Sequence, residues 1–291
     1  RPQASTAAGG HHEAKFGKGQ PLHLDLILSQ GRVADRTSGA IKGAALAADA
    51  LLPIVGGRKT VIGEPAPAED DDWRQSLPQA AKTLAGLQGA IARSLRDGRV
   101  PVMVANTCSA SLASLPVVAR ERPDATVLWI DAHGDFNTPA TTGSGYLGGM
   151  VLAAACGLWD SGHGAGLRPR QVVLVGARDI DEAEGELLAR HGVRIVPPAE
   201  ATPERIARET GDTPVWIHLD WDALEPGFVP AAYKVPGGLT PAGVGAIFAA
   251  IPAARIAGIE LAEFEASGDA ARDAAAVDVI RDVAAELLAG K

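Results

Sequence analysis

Acidic side chains follow two apolar segments of the chain at the spacing that a metal site requires. The segments, residues 125–130 and 214–219, have the length and composition of buried strands. The side chains that follow them are Asp131, His133 and Asp135 after the first segment, and Asp220 and Asp222 after the second. Residues two apart on a strand point to one face, and open α/β sheets bind ligands at the carboxyl ends of their strands. The sequence therefore predicts one crevice that holds all five groups.

Four carboxylates in one crevice repel one another unless a cation neutralises them. Many oxygen ligands with little sulfur favour Mn²⁺ or Mg²⁺ over structural zinc. More than one ion is expected, because four carboxylates are too many for a single partly open site. A single aspartate after a strand is more often a helix cap or a turn residue. Four of them at two strand ends, with a histidine among them, favour the metal site.

The composition is that of a folded globular protein, and it excludes several classes of partner. The chain has 291 residues, of which 46% are hydrophobic and 21% are charged. Its net charge of −8 argues against a nucleic-acid partner, and no apolar run approaches the roughly 18 residues of a membrane span. The cysteines, Cys108 and Cys156, are too few for a disulfide framework, so a cytoplasmic location is expected.

Strand-like and helix-like patterns alternate from residue 22 onward. The predicted strands are residues 22–28, 60–63, 100–105, 125–130, 171–176, 193–196, 214–219 and 254–259. The predicted helices are residues 40–52, 77–95, 110–120, 181–191, 240–250 and 269–288. Such alternation is typical of an α/β fold with a mainly parallel sheet and helices on both faces. Residues 1–21, rich in Gly and Ala and without the apolar core of a secretory signal, are expected to be a disordered extension.

Three segments resemble, in order, the signatures of the arginase/agmatinase family of ureohydrolases. Residues 131–139, Asp-Ala-His-Gly-Asp-Phe-Asn-Thr-Pro, resemble the first signature. Residues 218–226, His-Leu-Asp-Trp-Asp-Ala-Leu-Glu-Pro, resemble the second, where the family usually has Asp in place of Glu225. Glu263, in Glu-Leu-Ala-Glu-Phe, matches the late acidic residue that meets the guanidinium. The resemblance implies one three-layer α/β catalytic domain over residues 22–291, built on an eight-stranded, mainly parallel sheet.

The resemblance also implies two Mn²⁺ ions per chain, which share a bridging water and are held by two His and four Asp. Five of those six positions are matched, by Asp131, His133, Asp135, Asp220 and Asp222. In the family pattern Asp131 and Asp220 bridge the two ions. Asp135 completes one ion, and His133 with Asp222 completes the other.

The sixth ligand position falls on Cys108, where the family usually has a histidine. Two interpretations compete. A thiolate can bind a divalent ion, and a nearby dication lowers the pKa of the thiol enough to deprotonate it. Alternatively, Cys108 is an ordinary small buried residue. Because the other ligand positions are intact, ligation is favoured, although hard Mn²⁺ does not prefer sulfur.

Two further stretches resemble arginase segments that hold the amino-acid end of the substrate. Asn137 and Ser144 match contacts to the α-carboxylate, with Tyr146 standing where Asn is usual, and Asp181 and Glu184 match the acids that hold the α-ammonium group. Taken alone, such residues are more often loop and cap residues. The resemblance favours a guanidino amino acid as substrate over agmatine, which has no carboxylate.

Gly148 departs from the family pattern, since arginases have a histidine soon after this loop that shuttles protons. Glycine carries no proton, which puts ordinary L-arginine hydrolysis in doubt. His163 could substitute, although a histidine in a loop is more often a solvated bystander. Together with Cys108, this departure resembles a branch of the family that hydrolyses Nω-hydroxy-L-arginine to hydroxyurea and L-ornithine for antibiotic biosynthesis.

The expected enzyme is therefore an amidinohydrolase in which Glu263 positions the guanidine carbon and Asp135 transfers protons. Alternatives are an arginase, agmatinase or formiminoglutamate-type hydrolase, and a metal-poor pseudoenzyme that acts as a binding protein. Neither a phosphate-binding loop nor a dinucleotide fingerprint follows a predicted strand. The chain stops at Lys291, soon after its last predicted helix, so the C-terminal extension of trimeric arginases is expected to be absent, and a monomer is expected with oligomers left open.

Overall fold

The computed structural model describes residues 22–56 and 58–288, so the predicted disordered extension, residues 1–21, lies outside the described residues. Eight strands form one sheet: β1 (Leu24–Ser29), β2 (Lys59–Ile62), β3 (Val100–Val104), β4 (Thr126–Ile130), β5 (Val172–Val175), β6 (Arg194–Val196), β7 (Val215–Asp220) and β8 (Ile256–Ala262). Their order is β2-β1-β3-β8-β7-β4-β5-β6, and every neighbouring pair is parallel. The predicted eight-stranded sheet is confirmed, and its pairing is parallel throughout.

Eight α-helices occur in the described part of the chain: α1 (Ala40–Val55), α2 (Trp73–Arg96), α3 (Ser111–Glu121), α4 (Val151–Ala155), α5 (Glu182–His191), α6 (Pro203–Thr210), α7 (Pro241–Ala249) and α8 (Ala270–Leu288). All six predicted helices are present, and α4 and α6 were not predicted. The signal for α6 was its start, where the Thr202 hydroxyl accepts a hydrogen bond from Arg205 N and Pro203 takes the first helical position. No described helix is both long and apolar enough to cross a membrane.

The sheet is buried on both faces, which explains why its central strands are continuous apolar runs. Successive residues of β3 illustrate the alternation. Val102 and Val104 belong to the core formed with α1, α7 and α8, whereas Met103 belongs to the core formed with α2, α3 and α4. The three layers implied by the sequence are therefore present.

The strand order explains how distant parts of the chain meet. Strands β7 and β8 lie between β3 and β4, so β3, β8, β7 and β4 are consecutive in the sheet. Because all strands are parallel, the segments that follow these four strands lie along the same edge. Cys108, Asp131, Asp220 and Glu263 each lie at or just after the end of one of these strands.

Helix α1 packs closely on the segment that follows β8. A Cβ atom at Gly43 would lie only 1.7 Å from the Phe264 carbonyl oxygen. The neighbouring Gly39 carbonyl accepts a hydrogen bond from Ala266 N at 3.2 Å. The helix therefore supports the backbone that carries Glu263, and the contact requires glycine at position 43.

Arg178 fixes the long loop that follows β7. Its guanidinium donates to the Asp222 carbonyl at 3.0 Å, the Val235 carbonyl at 2.6 Å and the Gly176 carbonyl at 3.0 Å. Further bonds reach the carbonyl oxygens of Ala223, Leu224 and Pro236. One cation thus joins both ends of this loop to the end of β5, which holds the Asp222 backbone in place.

We expect Gly43→Ala to lower the free energy of unfolding by about 1–3 kcal/mol, because the new methyl group displaces the Phe264 backbone. Gly89→Ala in α2 is the control, since a Cβ there meets only the end of Arg93 at 3.4 Å. It should raise stability by about 0.5–1 kcal/mol through helix propensity. Urea unfolding measures both, and a stabilised Gly43→Ala protein contradicts the prediction.

We expect Arg178→Met to lower the free energy of unfolding by about 2–4 kcal/mol, because buried carbonyl groups lose a charged donor. Arg170→Met is the control, since Arg170 is exposed and its side chain has no hydrogen bond to any described residue. Hydrogen exchange should rise in residues 222–236 of the Arg178→Met protein alone. Equal protection of that loop in both variants would count against its role.

Candidate metal centre

The four central strands end at a cavity of about 230 Å³. Of the eleven predicted site residues, the cavity is lined by Cys108, His133, Asp135, Asn137, Ser144, Asp181, Glu184, Asp220, Asp222 and Glu263. Asp131 is 1% exposed and lies among the carboxylates behind the lining. A larger cavity of about 610 Å³ lies beside it, but Asp222 is the only predicted residue in that lining. The smaller cavity is therefore the candidate site.

His133 lies between two carboxylates. Its Nδ1 atom is 3.3 Å from Asp131 Oδ1 and 3.2 Å from Asp222 Oδ2. Ligand atoms of these three residues all lie within 4.8 Å of one another. Burial alone would lower the pKa of His133, but its hydrogen bonds with the two carboxylates raise it well above the usual value. The carboxylates thus attract positive charge to the place where this nitrogen lies.

Backbone and indole N–H groups hold these acids in place. Asp131 accepts from Trp129 Nε1 at 3.0 Å and from His133 N at 2.7 Å. Burial alone would raise the pKa of Asp131, but its interactions with His133 lower it. Asp220 accepts from Asp222 N at 2.7 Å. The carboxylates are therefore positioned by short local bonds and leave other oxygen atoms for a ligand.

Cys108 contacts two further acidic residues of the cavity, Asp220 and Glu263. Its Sγ atom donates to Asp220 Oδ2 at 3.1 Å and is 3.3 Å from His218 Nε2. Its backbone N–H donates to Glu263 Oε1 at 2.8 Å. Burial and the charge of Asp220 raise the pKa of the thiol. Ligand atoms of Cys108, Asp220 and Glu263 also lie within 4.8 Å of one another, so the sulfur belongs to the acid cluster.

The acids have more negative charge and more acceptor atoms than the protein itself satisfies. Asp135 Oδ2 is buried without a hydrogen-bond partner among the described residues. Burial, together with repulsion from Asp131, raises the pKa of Asp135. Burial and Asp222 likewise raise the pKa of Asp220. These oxygen atoms could coordinate a divalent cation, whose charge would remove the repulsion, so the residues fit a metal centre.

Two of the acidic residues have left-handed backbone conformations. The φ angles are +49° at Asp135 and +68° at Glu263. A longer side chain such as glutamate rarely adopts this region, and such strain is concentrated at functional sites. Burial raises the pKa of Glu263 to about 8. The fold therefore holds both carboxylates in places that their local conformation and desolvation disfavour.

His218 and Glu260 form a polar layer below the clustered acids, and no role was predicted for either of them. His218 Nδ1 is 2.9 Å from Glu260 Oε2, and its ring stacks on Trp129 with centroids 3.5 Å apart. In the strand register, His218 is opposite Trp129 on one side and Glu260 on the other. His218 and Glu260 lie two positions before Asp220 in the strand register, so their side chains point to the same face as that acid. This spacing could have indicated their role once the strand order was known.

The predicted substrate residues line the cavity, and Glu184 also supports the backbone that follows Asp135. Glu184 is buried and accepts a hydrogen bond from Phe136 N at 2.7 Å, and burial raises its pKa to about 7. Asn137 Oδ1 is buried without a partner in the described chain. Ser144 and Asp181 are exposed at the rim. The structure thus brings these four polar groups together without assigning them a ligand.

The space at position 148 is filled by Tyr146. A Cβ atom at Gly148 would lie 2.4 Å from Tyr146 Cε1. The Tyr146 hydroxyl donates to Glu263 Oε1 at 3.0 Å. His163 is not among the residues that line the cavity in the described structure, so its geometry does not support it as a substitute for the missing histidine.

Comparison with known proteins agrees with the motifs. A sequence model of the arginase family matches residues 41–287. The chain is 59% identical over 262 residues to the Nω-hydroxy-L-arginine amidinohydrolase of Streptomyces lavendulae, with 90% of this chain and 96% of that protein covered. It is 30% identical over 188 residues to the arginase of Bacillus caldovelox, with 59% of this chain and 63% of that protein covered.

Solved structures agree in fold. The arginase of Bacillus cereus superposes with a TM-score of 0.80 at 24% identity, covering 93% of this chain and 99% of that one. A proclavaminate amidino hydrolase of Streptomyces clavuligerus has a TM-score of 0.69 at 19% identity, covering 92% of this chain and 91% of that one. The prediction of an arginase-family enzyme is confirmed, and the chain belongs to that family.

Proposed function

We propose that this chain is a manganese-dependent amidinohydrolase that cleaves the guanidino C–N bond of Nω-hydroxy-L-arginine, giving hydroxyurea and L-ornithine. The observation that carries the proposal is the cavity itself, which is lined by an acid cluster that fits a metal and by Tyr146, whose ring fills the space that a side chain at position 148 would need. The activity named for the Streptomyces lavendulae relative supports the choice of substrate. A role in antibiotic biosynthesis is part of the proposal.

Two Mn²⁺ ions would be held by Cys108, Asp131, His133, Asp135, Asp220 and Asp222. The contacts of Cys108 Sγ with Asp220 and His218 favour a ligand over an ordinary buried cysteine, because a core thiol would face apolar groups. When bound, the metal neutralises the carboxylates and makes water reactive near neutral pH. The uncompensated oxygen of Asp135 and the repulsion among the acids support the need for this charge.

The protein's own groups then have distinct tasks. Glu263 accepts N–H bonds from the guanidine group and fixes its carbon over the acid cluster. Asp135 takes the proton released at the attacking oxygen and delivers it to the δ-nitrogen of the departing ornithine. Water adds across the cleaved bond, so hydroxyurea and ornithine account for all atoms. An N-hydroxyguanidine is less basic than a guanidine, which reduces the need for a dedicated proton shuttle.

The amino-acid end of the substrate would be held at the rim of the cavity. Asn137 and Ser144 would bind its α-carboxylate, and Asp181 and Glu184 would bind its α-ammonium group. The buried, unpartnered Asn137 Oδ1 supports a polar ligand at this end. We also propose that residues 22–291 act as one catalytic domain, as a cytoplasmic monomer. The free state of Cys108 and Cys156 agrees with a reducing compartment.

An arginase acting on L-arginine is the second candidate, because the rim residues would accept any α-amino acid with a guanidine-like tail. The protein loaded with Mn²⁺ should release ornithine from Nω-hydroxy-L-arginine with a kcat/KM at least about 100-fold above that for L-arginine, a preference of the size that a matched polar contact supplies. Agmatine should not be cleaved. An Asp220→Asn protein, which lacks one metal-binding charge, is the inactive control. Comparable turnover of L-arginine would identify an arginase and overturn the proposal.

The role of Cys108 is testable without turnover. Protein loaded with Co²⁺ or Cd²⁺ should show a thiolate-to-metal charge-transfer band, because a coordinated thiolate is deprotonated. The Cys108→Ser variant should lose this band. Cys156→Ser is the matched control and should keep it, since Cys156 is the other cysteine of the chain and does not line the described cavity. A full band in the Cys108→Ser protein would show that Cys108 is not a ligand.

A further inference from the structure

Tyr146 is hydrogen-bonded to Glu263, one of the acidic residues of the candidate metal centre. Its hydroxyl donates to Glu263 Oε1 at 3.0 Å, and the backbone N–H of Cys108 donates to the same oxygen at 2.8 Å. Tyr146 also lines the cavity that contains the acid cluster. The phenol oxygen therefore lies directly beside the carboxylate that is proposed to receive the guanidine group.

The ring of Tyr146 is held in this position by its surroundings. A Cβ atom at Gly148 would lie 2.4 Å from its Cε1 atom and 2.9 Å from its Cζ atom. The Arg36 guanidinium lies over the ring, 5.1 Å from its centroid. Arg36 is in turn fixed by bonds to the Asp71 carbonyl at 2.7 Å and the Ser144 carbonyl at 3.1 Å. A side chain at position 148 and this tyrosine position exclude each other.

The substrate and its unhydroxylated analogue differ at the atom that would lie near this phenol. A guanidinium group offers only N–H donors, and the carboxylate of Glu263 accepts such donors. An N-hydroxy group adds an oxygen one bond beyond the nitrogen, and this oxygen both donates and accepts hydrogen bonds. With Glu263 bound to the N–H groups, an oxygen added to a terminal nitrogen would lie next to this carboxylate, where the Tyr146 hydroxyl is hydrogen-bonded.

We propose that Tyr146 is the specificity-determining residue of this site, whose phenol oxygen hydrogen-bonds the N-hydroxyl group of the substrate while Gly148 leaves room for its ring. This inference rests on the proposed function, because it assigns the contact that selects the hydroxylated substrate. L-arginine has no atom at that contact, so it gains nothing from the phenol.

The test compares manganese-loaded wild-type protein with Tyr146→Phe, which keeps the ring and removes the hydroxyl. The kcat/KM for Nω-hydroxy-L-arginine should fall about 10- to 100-fold, the effect of an unpaired polar group in a specific site. The inhibition constant of L-arginine as a competitor should change less than about threefold, because L-arginine has no atom at the phenol and Glu263 keeps its bond from the Cys108 N–H. Equal losses for both ligands, or no loss for the hydroxylated one, would overturn the assignment.

Tyr233→Phe is the matched control, because Tyr233 is the only other tyrosine of the chain. It is 44% exposed, and its hydroxyl has no hydrogen bond within the described residues. The discrimination between the two ligands should stay within about threefold of wild type, as expected where no polar contact is lost. A change as large as that of Tyr146→Phe would show that any phenol in the cavity has this effect, which would overturn the specific role.

Gly148→Ala provides a second test, because its methyl group would push the ring away from Glu263. Alone it should lower kcat/KM for Nω-hydroxy-L-arginine about 10-fold or more, whereas in the Tyr146→Phe background it should add less than about threefold. Additive losses would overturn the shared contact.

Failure of the proposed function is recognised separately. If the wild-type protein turns over neither ligand, calorimetry gives the Kd of each for the wild-type and Tyr146→Phe proteins. An unchanged ratio of these constants overturns the role of Tyr146, and a loss confined to Nω-hydroxy-L-arginine supports it.

Discussion

The repulsion among buried carboxylates is the constraint on which the rest of this structure depends. Asp131, Asp135 and Asp220 lie in a low-dielectric site, where burial and mutual repulsion disfavour a set of negative charges. N–H groups of Trp129 and His133 satisfy part of the acceptor capacity, yet a buried oxygen of Asp135 has no partner among the described residues. A bound cation would remove this repulsion and coordinate the free oxygen, so the acids that the fold gathers here fit a metal centre.

The polar layer of His218 and Glu260 supports the acid cluster from below. His218 and Glu260 are fully buried and bond to each other, and Ser111 donates to the same Glu260 oxygen at 2.8 Å. Because Glu260 occupies Nδ1 of the imidazole, Nε2 faces Cys108 Sγ. The orientation of the thiol is thus set from beneath by a hydrogen-bonded row across neighbouring strands. This second layer is the kind of support that orients metal ligands in proteins.

The sequence could predict much of the fold, because both faces of the sheet are buried and the strands are plain apolar runs. The acids were predictable from their spacing at strand ends. The contact of His218 with Cys108 was not, because it depends on strands β3 and β7 becoming near neighbours in the sheet order. The hydrogen bond from Tyr146 to Glu263 was not predictable for a related reason. The two residues are 117 positions apart, and no local pattern shows that a tyrosine in a loop will reach Glu263. Helix α6 was missed because it has only 8 residues, most of them polar or charged, and Ile206 is its one buried apolar residue.

The departures from the family pattern are therefore coupled through one atom. Cys108, at the usual histidine position, donates its backbone N–H to Glu263 Oε1, and Tyr146 donates its hydroxyl to that same oxygen. Glycine at position 148 allows the bond from Tyr146 to Glu263, because any side chain there would contact the tyrosine ring. A change at one of these positions alters the carboxylate that the others contact. A histidine placed at position 148 with Tyr146 unchanged would thus displace the phenol from Glu263. Cys108, Tyr146 and Gly148 therefore form one arrangement of the site, which is an alternative to the arrangement with a histidine at position 148.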